Sequence, residues 1–236
     1  SETKAPCDPK KLGLPLSIGI FFDGAEVPLF QDFSTGTVMS NLARRYQAAH
    51  GNSTFPNVFH YRFPAWPNPY EENIADAKAK VKALRDLYTY FGCDPNLLRV
   101  DIFGYSRGGA AAIALANQLG SKGYYGNLTP IPVRFLGVLD AVPYLNWAGQ
   151  SALSTIVDIV EEISGLDDDD LEKLRSNTEH LDIRFSDADK NPAIFNSRAN
   201  PSPESSATER VATVYSGVSH ASIGFSPRVE GDMWRA

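Results

Sequence analysis

Residues 100–110 constrain the fold of this chain more than any other stretch. They read Val-Asp-Ile-Phe-Gly-Tyr-Ser-Arg-Gly-Gly-Ala, and the alanine-rich run that follows stops at Gly120. β-branched and aromatic residues favour a buried strand at the start, and the small residues favour a helix afterwards. Between them, Gly104-Tyr105-Ser106-Arg107-Gly108 fits G-x-S-x-G, the pattern of a serine presented on a tight strand-to-helix turn. Because strand, turn and helix occur in the required order, we predict that Ser106 is a nucleophile rather than a chance match.

Two backbone positions are candidates for stabilising negative charge beside this serine. Arg107 opens the predicted helix, so its N–H group lies at the positive end of the helix dipole. The predicted strand from Leu16 to Phe22 stops at Asp23-Gly24, and hydrolases with this order of elements take a second oxyanion donor from the end of an early strand. The sequence predicts an oxyanion hole made by Gly24 and Arg107, with an ordinary Asp-Gly turn as the alternative for Gly24.

Strand-like and helix-like segments alternate along the chain, which predicts an α/β fold whose mostly parallel sheet carries helices on both faces. The predicted strands span 16–22, 57–63, 99–103, 132–139, 180–185 and 210–215. The predicted helices span 37–49, 71–91 and 107–119. A length of 236 residues suits a single domain over residues 1–236, in which residues 1–15 form an N-terminal arm.

A helical insertion is predicted at residues 147–176, between the strand that ends at Asp140 and the next strand. Its position at the carboxyl edge of the sheet predicts that it borders the substrate entrance. Its apolar stripe suits either the core or a lid over the site. The acidic run at 167–170 favours the first turn of a helix, with a metal site as the less favoured interpretation.

A serine nucleophile needs a general base, and the chain has four histidines. His50 and His60 precede the serine, at a helix end and inside a strand, and His180 begins a strand. His220 follows the last strand, in a segment rich in glycine and serine that can position its ring. Because nucleophile, acid and base follow one another in that order in hydrolases with a G-x-S-x-G elbow, we predict that His220 is the base.

Three aspartates are candidates for the acid that orients the histidine. Asp140 closes the strand directly after the elbow helix, whereas Asp187 and Asp189 follow the next strand. Each position is compatible with the spacing, and an aspartate at a strand end is also a common turn residue. From the residues alone, the choice between Asp140 and the pair Asp187 and Asp189 stays open.

Composition and charge argue against several other functions. A net charge of −6 gives no basic surface for nucleic acid, and no apolar run reaches the length of a transmembrane segment. The first residues contain no apolar core of a signal peptide, which fits a cytosolic chain, a removed signal or export by another route. Cys7 and Cys93 either pair in an oxidising compartment or remain separate thiols.

Four blocks of sequence carry a resemblance to a known family. They are the Ile-Phe-Phe-Asp-Gly strand end at 20–24, the elbow at 104–108, Phe-Leu-Gly-Val-Leu-Asp at 135–140, and Ser-His-Ala-Ser-Ile-Gly at 219–224. In this order they resemble the catalytic domain of bacterial type VI secretion lipase effectors, a phospholipase-like group with an F-F-D-G-T strand end and a G-F-S-R-G-A elbow. The segment 186–195 also resembles a family segment of the type D-E-x-R-x-x-F.

The resemblance implies an α/β-hydrolase-like fold and a triad of Ser106, Asp140 and His220 that forms an acyl-enzyme without a cofactor. It also implies a lipid or phospholipid ester substrate, delivery to the periplasm of a target cell, a cognate immunity protein and a secretion-machinery spike protein as partner. Two departures from the family pattern stand near the site. Ala25 replaces the usual Thr, and Gly109 replaces the usual Ala.

Two further classes of function stay open. A metal-dependent phosphodiesterase could use Asp23, Asp140 and the acidic run at 167–170. A catalytically silent binding domain of the same fold would keep Ser106 without using it.

Two further departures from the family pattern are Lys190 and Asn191, which replace the family's usual Glu and Arg. These departures concern substrate and delivery more than the chemistry.

Overall fold

The computed structural model describes residues 6–25, 36–63, 70–121, 129–142, 169–187 and 198–236. Six of the described strands form one sheet in the spatial order β2-β1-β3-β4-β6-β8, and every neighbouring pair is parallel. These strands are β1 (Ser17–Ala25), β2 (Val58–Phe63), β3 (Arg99–Tyr105), β4 (Val133–Leu139), β6 (Thr178–Ser186) and β8 (Glu209–Tyr215). A separate parallel pair is formed by β5 (Lys173–Leu174) and β7 (Ser202–Pro203).

The described helices are α1 (Val38–His50), α2 (Tyr70–Tyr90), α3 (Arg107–Leu119), α4 (Asp169–Glu172), α5 (His220–Ile223) and α6 (Pro227–Arg235). A short 3₁₀ turn at Pro95–Leu97 leads from α2 into β3. A serine caps the N-terminus of both α5 and α6. The side chain of Ser219 or Ser226 accepts a backbone N–H of the first turn, which satisfies a donor that the helix itself cannot pair. Within the described residues, no helix combines the length and the apolar character that crossing a bilayer would need.

The central strands are buried on both faces, because α2 and α3 cover one face and α1 and α6 cover the other. Each face of the sheet carries its own cluster of buried apolar side chains. In β1, Ile18 and Ile20 pack into the cluster shared with α2 and α3, whereas Phe21 packs into the cluster shared with α1 and α6. Successive side chains of a strand point to opposite faces, so an uninterrupted apolar run fits a strand that is covered twice. The predicted α/β architecture, with helices on both faces of a parallel sheet, is confirmed.

The predicted insertion at 147–176 is only partly within the described residues, since 143–168 lie outside them. A helix is present at Asp169–Glu172, but Lys173–Leu174 form a strand, so the helical prediction is wrong there. The buried side chain of Asn117 explains the extended backbone. Its amide donates to the carbonyl of Lys173 at 2.7 Å and accepts from the N–H of Arg175 at 2.9 Å. A distant helix therefore overrides the local preference.

Three other segments differ from the expectation. Strand β1 continues through Asp23-Gly24 to Ala25 instead of stopping at Phe22. The segment 196–209 is rich in Ser, Pro and Ala, a composition that predicts a surface loop, but its described part contains β7 and the buried Ala199. No sequence pattern predicts helix α6, because it is a short, mostly polar segment with few apolar residues: Val229 and Met233 are buried, and Trp234 packs against them partly buried.

The predicted N-terminal arm is held against the core over its described residues, 6–15. Cys7 forms a disulfide with Cys93, with a Cα–Cα distance of 5.2 Å, which answers the question of pairing that the sequence left open. Leu14 is buried, and the carbonyl of Pro15 accepts a hydrogen bond at 2.5 Å from the hydroxyl of Tyr88 in α2. The disulfide therefore ties this segment to the loop that leads into the elbow strand.

Candidate active site

Ser106 lies on the sharp turn between β3 and α3, with a φ of 56° and a ψ of −121°. A positive φ is strained for a residue with a side chain, and such strain is typical of a serine elbow. The two flanking glycines are required by close packing. A Cβ at Gly104 would collide with the carbonyl of Gly108, and a Cβ at Gly108 would collide with the carbonyls of Phe22 and Asp23.

Asp140 directly follows β4 and lies beside the turn that carries Ser106. Its φ is 46°, and Ser106 and Asp140 are the non-glycine residues with positive φ among those described. The Ser106 N–H donates to the carbonyl of Leu139 at 2.9 Å, and the Val142 N–H donates to the carbonyl of Ser106 at 3.0 Å. These bonds place the end of β4 directly beside the elbow.

His220 is the first residue of the short helix α5, rather than part of an open loop. Ser219 caps this helix and accepts the N–H of Ser222 at 3.2 Å. Tyr105, next to the elbow serine, donates its hydroxyl to the carbonyl of His220 at 2.7 Å and stacks on the imidazole with ring centroids 5.3 Å apart. Tyr105 therefore positions His220 twice, through a hydrogen bond to its backbone carbonyl and through stacking on its imidazole ring.

The three side chains form one continuous chain of hydrogen bonds. The Oγ of Ser106 lies 2.8 Å from Nε2 of His220, and Nδ1 of His220 lies 2.8 Å from Oδ2 of Asp140. Asp140 is fully buried and His220 is 5% exposed. Since the ionised carboxylate can only accept, Nδ1 of His220 carries the proton and Nε2 is left to accept the proton of Ser106.

The Asp140 carboxylate has further partners that the sequence did not reveal. Ser186 donates its N–H to Oδ1 at 3.1 Å and its hydroxyl to Oδ2, and Nε of Arg198 donates to Oδ1 at 2.9 Å. Burial raises the pKa of Asp140, but the hydrogen bond and charge of His220, the Ser186 hydroxyl and the Arg198 charge together lower it below its ordinary value. The carboxylate is therefore held ionised inside the protein.

The structure brings Asp187 to a different place from Asp140. Its carboxylate accepts the hydroxyl of Ser216 at 2.9 Å and the N–H of Gly217 at 2.6 Å, while its own N–H donates to the carbonyl of Val218 at 3.1 Å. These bonds shape the loop that precedes His220. Asp189, the other alternative acid, lies outside the described residues.

The two predicted oxyanion positions lie on either side of Ser106. Arg107 is the first residue of α3 and is buried. A Cβ at Gly24 would lie 3.4 Å from the Cβ of Ser106, so this end of β1 faces the elbow. The Gly24 N–H, however, donates to the carboxylate of Asp23 at 3.0 Å, so it would have to leave that acceptor before binding an oxyanion.

Asp23 belongs to a small polar cluster beneath the end of β1. Its Oδ2 accepts the hydroxyl of Thr37 at 2.6 Å and lies 2.9 Å from Nε2 of His60. Among the described residues, no group of three or more His, Cys, Asp or Glu side chains is arranged to hold a metal ion. The first two positions of the acidic run at 167–170 lie outside the described residues, and its last two positions lie inside α4.

Solved structures of other proteins share the architecture of this chain. No protein-family model matches the chain, and no curated protein matches it in sequence. A putative hydrolase from Agrobacterium vitis S4 superposes with a TM-score of 0.54 at 12% identity, over 98% of this chain and 88% of that chain. A thermophilic esterase from the Planctomycetes species Thermogutta terrifontis superposes with a TM-score of 0.50 at 13% identity, over 99% and 84%. This chain has the α/β-hydrolase fold.

A third solved structure concerns the family resemblance seen in the sequence. The Tle1 effector bound to the VgrG spike of the type 6 secretion system matches 91% of this chain and 52% of that chain, at 15% identity and a TM-score of 0.42. This chain therefore spans about half of that effector. A similarity of this degree assigns neither an effector role nor a spike-protein partner to this chain.

Proposed function

We propose that this protein is a serine carboxylic-ester hydrolase that works through Ser106, His220 and Asp140. The observation that carries the proposal is the continuous hydrogen-bond chain from the Ser106 hydroxyl through both imidazole nitrogens to a buried carboxylate. Nucleophile, base and orienting acid within hydrogen-bond reach of one another are the arrangement that activates a serine. The α/β-hydrolase fold supports the same conclusion, because its elbow is the usual site of that serine.

In the proposed reaction, the Oγ of Ser106 attacks the ester carbonyl carbon while Nε2 of His220 takes the hydroxyl proton. The imidazolium then gives this proton to the leaving alcohol as the carbon–oxygen bond breaks, which leaves an acyl-enzyme. A water molecule, deprotonated by the same nitrogen, then attacks the acyl carbon. The bond from this carbon to Oγ of Ser106 breaks, the imidazolium returns its proton to Oγ, and the carboxylic acid leaves. Asp140 keeps the Nδ1 proton in place and stabilises the imidazolium in both steps.

The negative oxygen of the tetrahedral intermediate needs donors that are already oriented. We propose the Arg107 N–H as the first donor, since it opens α3 directly behind the nucleophile. Gly24 is proposed as the second, by exchange of its N–H from the Asp23 carboxylate to the oxyanion. Loss of one such donor typically lowers kcat by about 100- to 1,000-fold.

Labelling with a fluorophosphonate, followed by mass mapping, tests the proposal. We expect the probe to modify Ser106 and to abolish ester hydrolysis, and we expect Ser106→Ala to lose both labelling and activity while keeping its fold. Ser53→Ala is a matched control, because Ser53 is an exposed serine outside the site. Absence of labelling in a folded protein would favour a silent binding domain, and activity that a chelator removes would favour a metal-dependent phosphodiesterase.

We further propose a lipid or phospholipid ester as substrate and a role as an antibacterial type VI secretion effector. This finer proposal rests on the four ordered sequence blocks and extends to a spike-protein carrier and a cognate immunity protein. The Cys7–Cys93 disulfide supports action in the periplasm, since disulfides persist in oxidising compartments.

Vesicles of defined phospholipid test the substrate, through release of free fatty acid and lysophospholipid. Expression in a bacterial host tests the role. Growth should stop when the chain is directed to the periplasm and continue when it is kept in the cytosol, and Ser106→Ala should be harmless in both. Hydrolysis of short soluble esters without any attack on vesicles would overturn the lipid assignment.

A further inference from the structure

The acid of the proposed triad forms an ion pair with an arginine that no sequence motif singles out. The Nε atom of Arg198 lies 2.9 Å from Oδ1 of Asp140, and the two side chains are 16% and 0% exposed. Among the described residues, a second donor to Oδ1 is the N–H of Ser186, at 3.1 Å. Oδ1 is thus occupied by donors from two other segments, while Oδ2 receives Nδ1 of His220.

The backbone around Arg198 is anchored independently of the guanidinium group. The N–H of Ala199 donates to the carbonyl of Ala141, one residue after Asp140, at 2.9 Å. Ala199 is buried, and the chain continues from there into β7. Removing the guanidinium therefore leaves the segment attached beside Asp140, so variants at this position are expected to fold.

We propose that Arg198 is a positioning residue for ester hydrolysis. It holds Oδ1 of Asp140 so that only Oδ2 faces His220, and its positive charge offsets part of the negative charge that would otherwise favour the imidazolium. Without this contact the carboxylate would be free to turn, and its negative charge beside the imidazole would lose its neutralising cation, so Arg198 is expected to affect both kcat and the dependence of activity on pH. This inference rests on the proposed function of Ser106 and His220.

Charged side chains on the described elements near His220 include Asp23 at the end of β1, Arg107 in α3, Asp182 and Arg184 in β6 and Asp187 after β6. Asp23, Arg184 and Asp187 bind groups other than Asp140 and His220. The Tyr105 ring, which stacks on the imidazole, is uncharged at neutral pH. Among the described residues, Arg198 is the arginine that forms an ion pair with the Asp140 carboxylate.

Three variants separate charge, position and simple loss of structure. Arg198→Met keeps length but removes the charge and the donor, and Arg198→Lys keeps the charge. Arg210→Met is the matched control, because Arg210 donates to Asn200 of the same segment at 2.6 Å and is exposed. Each is assayed on a short soluble ester across pH, with folding followed by circular dichroism and urea unfolding.

For Arg198→Met we expect kcat to fall about 10- to 100-fold, with KM within about twofold of the wild type. We also expect the acid limb of kcat/KM to move about one pH unit upward. Guanidinium ion, added far below denaturing concentrations, should recover part of the lost kcat. Arg198→Lys should keep the acid limb of the wild type, and Arg210→Met should change neither kcat nor the limb.

A wild-type kcat and an unmoved acid limb in Arg198→Met would overturn the inference. So would an activity loss that only follows the unfolded fraction, because a merely structural arginine would not move the limb. The proposed function fails separately, through absence of phosphonate labelling at Ser106 in the wild-type protein. In that case the Nδ1 proton resonance of His220, compared between wild type and Arg198→Met, still reports whether Arg198 orients the Asp140 carboxylate, and an unchanged resonance would contradict it.

Discussion

Asp140→Asn exchanges one oxygen of the proposed acid for an amide nitrogen, and the surrounding donors decide how the amide must sit. Arg198 and the backbone N–H of Ser186 both donate toward the Oδ1 position, so the amide oxygen has to stay there. The amide NH₂ group then takes the Oδ2 position and faces Nδ1 of His220. That nitrogen must now accept, and the ring proton moves to Nε2.

The shifted proton blocks the reaction at its first step. With Nε2 protonated, His220 donates to Ser106 and can no longer take the hydroxyl proton. Reversal of the tautomer in a serine triad lowers kcat by about 10⁴-fold, which corresponds to about 5 kcal/mol in the activation free energy. The fold should be preserved, because the amide can satisfy the same positions: its oxygen accepts from Arg198, and the Ser186 hydroxyl can accept from its NH₂ group.

The assay is hydrolysis of a short soluble ester by Asp140→Asn, Asp187→Asn and Asp189→Asn, with folding checked by circular dichroism. We expect the large loss only in Asp140→Asn. Asp187→Asn should lower stability by no more than about 1 kcal/mol, because its loop contacts are exposed, and should leave kcat within a few-fold of the wild type. A large loss in Asp187→Asn or Asp189→Asn, together with near-normal Asp140→Asn activity, would refute the assignment.

The double variant Asp140→Asn with Arg198→Met tests whether Arg198 sets the orientation of the amide at position 140. Without the guanidinium, the amide has less reason to keep its oxygen on the Oδ1 side. We therefore expect no further loss beyond Asp140→Asn, although independent effects would multiply. A double variant that is about 10- to 100-fold slower than Asp140→Asn would show that Arg198 does not set the direction of the amide.

Two further predictions concern stability. Cys7→Ser with Cys93→Ser should lower the free energy of unfolding by about 4 kcal/mol, because the bond closes a long loop between residues 86 positions apart; urea unfolding measures this, and a change below about 1 kcal/mol would contradict it. The lowered pKa of Asp140 should make stability acid-sensitive. As pH falls below about 5, the unfolded chain takes up this proton before the folded one, so stability is lost. Urea unfolding across this range should show a shallower loss in Asp140→Asn, and equal slopes would contradict the prediction.

The sequence by itself was sufficient for the elbow and for the parallel sheet. Both can be recognised from short stretches of the chain: Gly104 and Gly108 flank Ser106 in the G-x-S-x-G pattern, and β3 and α3 follow from short runs of apolar and small residues. His220 was also accessible, because the order of elements in the chain leaves one histidine after the last strand. Information of this kind is local or sequential, so no knowledge of the packing is required.

Local preference was insufficient wherever a distant group acts on the backbone. Lys173–Leu174 lie in a stretch with helical spacing, yet they are extended, because Asn117 in α3 binds the backbone on both sides. The strand β1 likewise continues past Asp23-Gly24, where a turn was expected. In both cases hydrogen bonds made in the folded protein outweigh the intrinsic preference of the segment.

The contact of Asp140 with His220, and that of Asp140 with Arg198, depend on the tertiary structure alone. Asp140 and His220 are 80 residues apart, and Arg198 is 58 residues from Asp140. Asp187 is closer to His220 in sequence, but its carboxylate turns to Gly217. The order and register of the strands determine which carboxylate meets the imidazole, and that convergence of distant side chains leaves no local pattern in the sequence.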